Sequence, residues 1–485
     1  MINLKLIYKV LGSLLFIEAI MLVGSLAVSL YHKEDDVPAF LATIFITALV
    51  AIFCKFKGRD AENVMGRRDA YLLVTLTWVV FSVLGALPFV ISGYLTNYTD
   101  AFFETMSGFT TTGATIIDDV EALPHGLLFW RSLTHWIGGL GIVFFTIAIL
   151  PSLVGGTMRV FSAEATGPIK TKLHPRLSTN AKAIWMVYIL LTAGCSACFC
   201  LFGMSLFDSL NYSMSITATG GFATHNASIE YFNSAAIDYT AIIFMFLSGT
   251  NFTLLYLTLF KRQIRAFFKD AELRLYSFLV IASTAAIMFF LIHQLHYDLF
   301  DSLRYALFQV IAVITTTGVF NCDAGKWPHI TWIILAMCMC IGACAGSTSG
   351  GIKNIRGVML IKIIKNEFKH IIHPRAVLPI KINGNTVPPS AQGTLLVFFT
   401  LYFATCIVAF LSMTCMGVDS TNAITIAFSC ASNVGPTLGM EIGPTMSWSM
   451  LPDAGKWICS VLMLMGRLEF FSVLVLFTPA FWRAN

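Results

Sequence analysis

Four short stretches of this sequence combine hydroxyl side chains with a glycine, and together they could bind a small cation. They read TTTGAT, TATGGF, TTTGVF and SNVGPT, and they run from Thr110 to Thr115 (loop 1), Thr217 to Phe222 (loop 2), Thr315 to Phe320 (loop 3) and Ser432 to Thr437 (loop 4). Glycine adopts positive φ angles without steric cost, so successive carbonyl groups can turn to one side. A ring of carbonyl dipoles can replace the hydration shell of a cation, which is the chemistry of a selectivity filter.

The glycines of the four stretches recur at intervals of about 100 residues, as expected for a tandem unit rather than a solenoid. We align the stretches on Gly113, Gly220, Gly318 and Gly435. The predicted cation ligands are the carbonyls of Thr111, Thr112, Gly113, Ala218, Thr219, Gly220, Thr316, Thr317, Gly318, Asn433, Val434 and Gly435. The alternative is that each stretch merely ends a strand at a turn, but four occurrences in equivalent positions favour the ring.

The apolar segments around the four stretches indicate how they lie in a membrane. Each stretch follows an apolar segment too short to cross a bilayer and is flanked by longer segments that could cross it. Irregular backbone at membrane depth occurs only where protein buries it or where it lines a water-filled path. The pattern therefore predicts four re-entrant loops around one axial pore. Each short segment would be a pore helix whose C-terminal dipole favours a cation at the centre.

The composition predicts an all-α polytopic membrane protein. Hydrophobic residues make up 57% of the chain and charged residues 12%, and the mean hydropathy is +0.77. We predict an N-terminal membrane domain of two transmembrane helices in residues 1–68, followed by four tandem units around one pseudo-fourfold pore. Each unit has an outer helix, a pore loop and an inner helix. Two spans per unit and two at the N-terminus make ten in all.

The predicted units cover residues 69–180, 181–274, 275–390 and 391–485. Their outer helices are expected at about 70–93, 181–206, 275–296 and 391–416, and their pore helices at about 98–110, 207–217, 299–314 and 419–431. Their inner helices are expected at about 126–150, 236–260, 328–366 and 454–481.

The basic residues predict the topology. Most of the 31 lysines and arginines fall on segments that this arrangement makes cytoplasmic, namely the N-terminus, residues 55–68, 159–182, 261–274 and 353–381, and Arg483. The positive-inside rule then places both termini in the cytoplasm and has all four loops entered from outside. Because the basic residues lie between apolar segments instead of forming one patch, nucleic-acid binding is not expected.

A glycine-rich segment interrupts the predicted inner helix of unit three. It runs from Ile341 to Lys353 and reads IGACAGSTSGGIK, with small residues at Gly342, Gly346, Ser347, Thr348, Ser349, Gly350 and Gly351. Each glycine costs a helix about 1 kcal/mol relative to alanine, so the segment should unwind and face water or protein. We predict that it lies below the loops and gates the path. The alternative is a small-residue face for helix packing.

Arg467 lies inside the predicted inner helix of unit four, where a charge costs about 2.5–3.5 kcal/mol on insertion scales. It should therefore face a polar cavity or a partner. Glu469 is only two residues on and points elsewhere on a helix, so it is not the expected partner. We predict that Arg467 acts below the loops, where it repels ions or holds the glycine-rich segment. A purely structural ion pair is the alternative.

Other chemistry finds little support in the sequence. The 12 cysteines lie almost entirely in apolar segments and complete no zinc motif, so they should behave as small hydrophobes. His135 and His225 are expected to be structural or surface groups. Asp118, Asp119 and Glu121 follow loop 1 and could either attract cations to the outer mouth or form an ordinary solvated turn. No nucleophile, base and metal set occurs in one place, so an enzyme is not expected.

The four TxTG-like loops, the helices around each of them and the two extra N-terminal helices resemble the Trk/Ktr/HKT superfamily of potassium transporters over nearly the whole chain. The likeness is strongest to the bacterial ion-conducting subunits. In that family each loop supplies one filter glycine, and the segment matching the glycine-rich segment is an intramembrane loop thought to gate. Loop 4 departs from the pattern, because Asn433 and Val434 replace threonines before Gly435 and Pro436 follows it.

The resemblance also implies a function and partners. It implies a channel-like subunit for potassium uptake in the bacterial inner membrane, with potassium as the transported ion and no organic cofactor. It further implies a homodimer, surrounded by membrane lipid, that works with a separate cytoplasmic nucleotide-binding regulatory subunit of the TrkA type. The alternative is a secondary transporter that couples potassium to protons or sodium. Few carboxylates lie in the predicted spans, whereas coupled carriers usually need ionisable groups at the midplane.

Overall fold

The computed structural model describes residues 2–62, 64–141, 177–376, 378–439, 443 and 445–483. Two long N-terminal helices, Leu4–His32 and Val37–Lys57, pack against each other, as the sequence predicts. Gly12 lets the two backbones approach closely, because a Cβ there would lie 2.7 Å from the carbonyl oxygen of Ala51. The short turn between the helices is held by a hydrogen bond from the Ser29 hydroxyl to Asp36.

Four units follow, each with an outer, a pore and an inner helix, numbered 1 to 4 below. The outer helices are Arg67–Gly85, which continues past Ala86 as Leu87–Ile91, and Leu177–Leu201, Ala271–Leu295 and Pro389–Cys415. The pore helices are Tyr98–Phe109, Leu206–Ala218, Leu299–Ile314 and Ser420–Ser432. The inner helices begin as His125–Gly139, Ala235–Ser248, His329–Ile341 and Asp453–Arg467. The predicted helical fold with four pore units is confirmed.

The inner helices are interrupted in more units than the sequence predicts. Inner helix 2 bends by 102° into Phe252–Lys261, and inner helix 4 bends by 111° into the segment Phe471–Phe477. The continuous inner helices predicted at 236–260 and 454–481 are therefore wrong. The breaks fall where these helices meet the ends of pore helices, since a Cβ on Gly249 would clash with Thr315 of unit three and one on Gly466 with the carbonyl oxygen of Ala431 in its own unit.

These interruptions change the number of helices that could cross a membrane. Six described helices are long and apolar enough, or eight if each bent pair forms one span, against the ten predicted. Inner helix 3 is a shorter apolar helix, and the chain after it resumes as Asn354–Ile372. The predicted end of inner helix 1, residues 142–150, and the basic stretch 159–176 lie outside the described residues.

One small hairpin departs from the predicted all-helical chain. Lys381–Ile382 pairs antiparallel with Asn385–Thr386, across a turn made by Asn383 and Gly384 with φ angles of 50° and 83°. An Asn-Gly pair is typical of such tight turns. The side chain of Asn383 fastens the hairpin to the start of outer helix 3, because it accepts a hydrogen bond of 3.0 Å from the Ala271 N–H.

Several short helical segments complete the described chain. They are Ile264–Lys269, Phe471–Leu474 and Pro479–Trp482, with 3-10 turns at Val120–Ala122, Ser228–Phe232, Ala324–Lys326 and Val475–Phe477.

The apolar core has two main parts. One joins the N-terminal helices to units one and four and contains the buried Trp78 and Trp130. The other joins units two and three and contains the buried Tyr212 and Tyr276. Large apolar side chains also cover the outside of the outer helices, for example Phe278 and Phe289 on outer helix 3. A lipid-facing surface has this composition.

Candidate functional site

All four pore helices begin at a side-chain cap. The side chains of Asn97, Ser205, Asp298 and Asp419 accept hydrogen bonds from backbone N–H groups of the first helical turn. The first N–H groups of a helix have no partner within the helix, so a capping oxygen stabilises this end. The caps give all four pore helices a matching start, and the helices then run toward the four loops.

The register of the loops is set by one residue in the left-handed conformation at the end of each pore helix. These residues are Thr111, Thr219, Thr316 and Asn433, with φ angles between 54° and 58°. Two residues later each loop has a glycine with positive φ, and these are Gly113, Gly221, Gly318 and Gly435. The equivalent glycine of loop 2 is therefore Gly221, and the alignment on Gly220 is wrong by one residue.

The hydrogen bonds of the loops support this corrected register. The N–H groups of Thr112, Gly220, Thr317 and Val434 each donate to the carbonyl five residues earlier, at 2.8 to 3.0 Å. Thr219, Gly220 and Gly221 thus occupy the places that Thr111, Thr112 and Gly113 occupy in loop 1, whereas Ala218 is the last residue of pore helix 2. The two adjacent glycines in TATGGF leave the register of loop 2 ambiguous in the sequence. The end of pore helix 2 at Ala218 fixes this register in the structure.

The four loops close into a ring. A Cβ atom on any of the four positive-φ glycines would lie within 3.0 Å of a carbonyl oxygen in the following loop, closer than real Cβ atoms approach. The contacts run in chain order: Gly113 faces Gly220, Gly221 faces Thr317, Gly318 faces Val434, and Gly435 faces Thr112. The last contact returns to loop 1, so the ring is closed. Only glycine fits at these positions, because the opposing atoms are backbone.

His135 of inner helix 1 supports loop 2 from behind. In loops 1 and 3, the threonines on either side of the left-handed residue hydrogen-bond to each other at 2.8 Å and 2.7 Å. Loop 2 has alanine and glycine at these positions, and the imidazole of His135 fills the space beside Gly220. Its Nδ1 lies 2.7 Å from the Gly108 carbonyl oxygen, and its Nε2 accepts from the Phe222 N–H at 3.2 Å. His135 is thus a structural group, as predicted.

A cavity of about 100 Å³, named the outer cavity below, lies on the side of the ring where the chain leaves the loops, and it is lined by the glycines of all four loops. Of the three acidic residues that follow loop 1, Asp118 lines this cavity, and it accepts a hydrogen bond of 2.7 Å from the Ser449 hydroxyl. Asp119 and Glu121 instead bind Asn226, at 2.8 Å and 3.2 Å, and so join the segments after loops 1 and 2. All three carboxylates thus accept hydrogen bonds from neighbouring segments, and Asp118 is the one that lies beside the ring.

The remaining candidates are His225 and the cysteines. His225 stacks on Tyr231 with a centroid distance of 3.7 Å near the outer surface. All 12 cysteines are free. Within the described ranges, no group of three or more His, Cys, Asp or Glu side chains is arranged to hold a metal ion.

The glycine-rich segment is unwound, as predicted, and it lies against the side of the ring opposite to the outer cavity. Inner helix 3 ends at Ile341, and Gly342, Gly346 and Gly351 have φ angles between 71° and 73°. Ser347 and Ser349 hydrogen-bond to each other at 2.8 Å and stabilise the turn internally. Glycine is needed here because the backbone folds back on itself at positive φ.

Three hydrogen bonds join this segment to the ring. They run from the Gly350 N–H to the Thr316 hydroxyl at 2.7 Å, from the Gly351 N–H to the Ser432 carbonyl at 2.9 Å, and from the Thr348 hydroxyl to the Thr217 carbonyl at 3.0 Å. The segment therefore contacts loops 2, 3 and 4 directly.

Arg467 ends inner helix 4 and joins two other parts of the chain. Its Nη1 donates to the Thr348 carbonyl at 2.7 Å, and its Nη2 donates to the carbonyls of Gly138 and Gly139, both at 2.6 Å. The last carbonyls of a helix lack partners within the helix, so inner helix 1 offers natural acceptors. Arg467 thus ties the glycine-rich segment to the end of inner helix 1. Glu469 pairs with Arg356 at 2.6 Å.

Glu272 was not expected from the sequence, and it holds the base of the glycine-rich segment. It lies in the first turn of outer helix 3, and its Oε1 accepts from the N–H groups of Ala345 at 2.6 Å and Ile355 at 2.9 Å. Nothing near Glu272 in the sequence signals these partners. An acidic residue in the first turn of a helix is ordinarily explained by the helix dipole alone.

Replacing Glu272 with alanine (Glu272→Ala) is expected to loosen the glycine-rich segment. Hydrogen bonds to a charged group contribute about 1.5–3 kcal/mol each, and this carboxylate accepts two. Hydrogen exchange at the amides of Ala345 and Ile355 should therefore accelerate by about tenfold or more. Glu367→Ala, which removes an exposed carboxylate from the following helix, is the control. Unchanged exchange at both amides would show that Glu272 does not hold the segment.

Comparisons with known proteins agree with this architecture. The family model for TrkH, described as a cation transport protein, matches residues 36–484. The chain is 36% identical to the Trk system potassium uptake protein TrkH of Vibrio parahaemolyticus, with 99% of each chain covered. It is 35% identical to the protein of the same name from Escherichia coli strain K12, over 99% of this chain and 100% of that one. The crystal structure of the potassium transporter TrkH from Vibrio parahaemolyticus matches at a TM-score of 0.89 and 34% identity over 99% of both chains. The chain therefore belongs to the TrkH family of cation transport proteins.

Proposed function

We propose that this protein is the channel-like, ion-conducting subunit of a Trk-type system for potassium uptake. The observation that carries the proposal is the closed ring of four glycines, each packed against a carbonyl of the next loop. A single chain thereby builds the pseudo-fourfold arrangement that a cation filter requires. The names of the relatives from Vibrio parahaemolyticus and Escherichia coli support potassium as the transported ion.

The proposed ligands are backbone carbonyl oxygens, three from each loop. In the corrected register these belong to residues 111–113, 219–221, 316–318 and 433–435. Because carbonyls and not side chains would bind the ion, Asn433 and Val434 can stand where other loops have threonine. Pro436 lies beside Gly318 and limits the width of the ring between loops 3 and 4.

The glycine-rich segment and Arg467 are proposed as the gate. The segment lies against loops 2, 3 and 4, where it would obstruct an ion leaving the ring. Arg467 holds the segment through Thr348 and adds a positive charge on the same side. Conduction would require the segment to leave this position, and the positive φ glycines at its ends are suitable hinges.

A secondary transporter that couples potassium to protons or sodium is the alternative. Coupling needs an ionisable group that binds the second ion near the path. In the described part of the chain, Asp118 beside the ring accepts from the Ser449 hydroxyl, and two buried carboxylates bind backbone N–H groups: Glu104 binds that of Ile116, and Glu272 binds that of Ala345. Both carboxylates therefore have a positioning role, which favours the passive channel.

The surroundings of the protein form a further part of the proposal. We place it in the bacterial inner membrane, with both termini in the cytoplasm and lipid around the apolar outer helices. A homodimer and a separate TrkA-like nucleotide-binding regulator are proposed as partners, and the names of the relatives, which refer to a Trk system, support a multi-component assembly. The basic helix Asn354–Ile372 and the hairpin after it offer a docking surface for such a regulator.

Ion flux into liposomes that contain only the purified protein tests this function. Potassium influx should exceed sodium influx and should depend on the potassium gradient and the membrane potential alone. An imposed proton or sodium gradient should leave the potassium flux unchanged at constant voltage. Flux that follows either gradient would support the coupled transporter, and absence of any potassium flux would contradict both functions.

A further inference from the structure

A buried ion pair lies behind loops 1 and 2. Arg131 of inner helix 1 and Glu104 of pore helix 1 are joined by an Nε to Oε1 distance of 2.8 Å, and their side chains are only 2% and 1% exposed. Burying two charges costs free energy that their mutual attraction and further hydrogen bonds must offset. Such a pair needs a role, and its neighbours indicate one.

The other side-chain contacts of the pair reach the end of loop 1 or loop 2, or the chain directly after it. Glu104 accepts from the Ile116 N–H at 2.9 Å and from the Thr115 hydroxyl at 3.0 Å. Arg131 donates to the Ala223 carbonyl at 3.1 Å, and its guanidinium lies 4.2 Å from the ring centre of Phe222. The planar, forked guanidinium can bind both segments at once. The pair therefore clamps the end of loop 1 to the end of loop 2.

The other units show what is special about unit one. Seven residues before the left-handed residue, the pore helices carry Glu104, Tyr212, Gln309 and Ile426. Tyr212 donates to the Ser228 carbonyl at 3.0 Å, and Gln309 donates to the Cys322 carbonyl at 3.2 Å. Three pore helices thus bind the chain that follows their own loop, but only the first uses a charge at this position and extends the contact to a second loop.

We propose that the Arg131 and Glu104 pair determines ion selectivity by fixing the distance between loops 1 and 2. The inference rests on the proposed function of the ring as a potassium filter. Discrimination between two cations requires carbonyls held at a defined spacing and number. The ring contact of Gly113 with Gly220 lies between these two loops, and the pair is a buried, charged link that joins them from behind. Both residues act as positioning residues, without touching the ion.

Two single variants separate positioning from simple electrostatics. Glu104→Gln leaves an unpaired cation beside the outer cavity, and Arg131→Gln leaves an unpaired anion, so their effects on cation entry should be opposite. Their effect on the spacing of the loops should be the same. We expect both variants to lower the ratio of potassium to sodium permeability by about tenfold. A small change in the free energy of binding potassium relative to sodium is enough for this effect. The double variant should restore balanced charge but not the ratio.

The experiment measures potassium and sodium flux in liposomes for the wild type and each variant. The Thr115 hydroxyl donates to Glu104 at 3.0 Å and accepts from Arg131 at 3.2 Å, and Thr115→Val removes it without leaving a charge unpaired. This variant tests the inference if the charge variants fail to fold. It should lower the ratio by a smaller factor, about threefold. Lys456→Gln is the matched control, because Lys456 of inner helix 4 also forms an inner-helix to pore-helix ion pair, with Asp100 at 2.6 Å, but in the first turn of pore helix 1, at the end of that helix away from the ring. It should keep the wild-type ratio.

The outcomes distinguish this inference from the proposed function. If the wild type conducts and prefers potassium while the folded variants keep its permeability ratio, the selectivity role is wrong and the filter remains. If the two variants change the cation flux in opposite directions but keep the ratio of potassium to sodium permeability, the pair acts only through its charges at the outer cavity. If the wild type shows no preference for potassium, the proposed function itself fails.

Discussion

Replacing Gly113 with serine (Gly113→Ser) is expected to remove most of the preference for potassium over sodium, by about tenfold or more in permeability ratio. Gly113 has a φ of 80°, and a Cβ there would clash with the carbonyl oxygen of Gly220 in the next loop. The left-handed conformation alone costs an L-residue about 1–2 kcal/mol. The clash would in addition push loop 1 and loop 2 apart. The ring should therefore lose its regular spacing.

A matched control separates this clash from backbone strain. Gly417 has a φ of 89° and nothing within 4 Å of an added Cβ, so Gly417→Ser carries similar strain without a contact. It should leave the permeability ratio of the wild type unchanged. Gly221→Ser should behave like Gly113→Ser, since Gly221 faces the Thr317 carbonyl. A folded Gly113→Ser variant with undiminished selectivity would exclude loop 1 from the filter.

Replacing Arg467 with alanine (Arg467→Ala) should increase potassium flux by about tenfold and leave it passive, because a lowering of the barrier by little more than 1 kcal/mol has this effect. The variant removes a positive charge from the exit of the ring. It also releases Thr348 of the glycine-rich segment from the end of inner helix 1. Selectivity should not change, since Arg467 binds neither Gly113 nor its three counterparts in any described contact.

Arg467→Lys tells the two causes apart. A lysine keeps the charge, but its compact ammonium group cannot reproduce the forked contact with Thr348, Gly138 and Gly139. Flux close to the wild-type value would identify the charge as the barrier, whereas flux like that of Arg467→Ala would identify the contact with the segment. If potassium flux through the wild type depends on a proton gradient and Arg467→Ala loses that dependence, the proposal of a passive channel is wrong.

Local features of the sequence predict the pore helices closely. The predictions at 98–110 and 299–314 agree with Tyr98–Phe109 and Leu299–Ile314. Each helix has a capping residue before an apolar run and a glycine soon after it, and these signals act on neighbouring residues. The unwound glycine-rich segment is predicted for the same reason, because several glycines and hydroxyl residues in succession oppose a helix wherever the segment is placed.

Features that depend on contacts between separate helices could not be predicted in this way. Gly249 and Gly466 each look like a single tolerated glycine in an apolar helix, but their helices break where they meet Thr315 and Ala431 of a pore unit. The register of loop 2 is ambiguous in TATGGF, and it became clear only from the left-handed residue that ends pore helix 2.

The sequence by itself determined that this protein is a helical membrane protein with four pore loops, a glycine-rich interruption and an intramembrane arginine. Apolar length, helix caps and glycine content are local properties, and they act in the same way in any fold. Only the tertiary structure decided the partners of the charged groups. Arg467 reaches a carbonyl 329 residues away, and Glu272 reaches an amide 73 residues away. Such contacts depend on which surfaces the fold brings together, and the spacing of residues along the chain does not encode that.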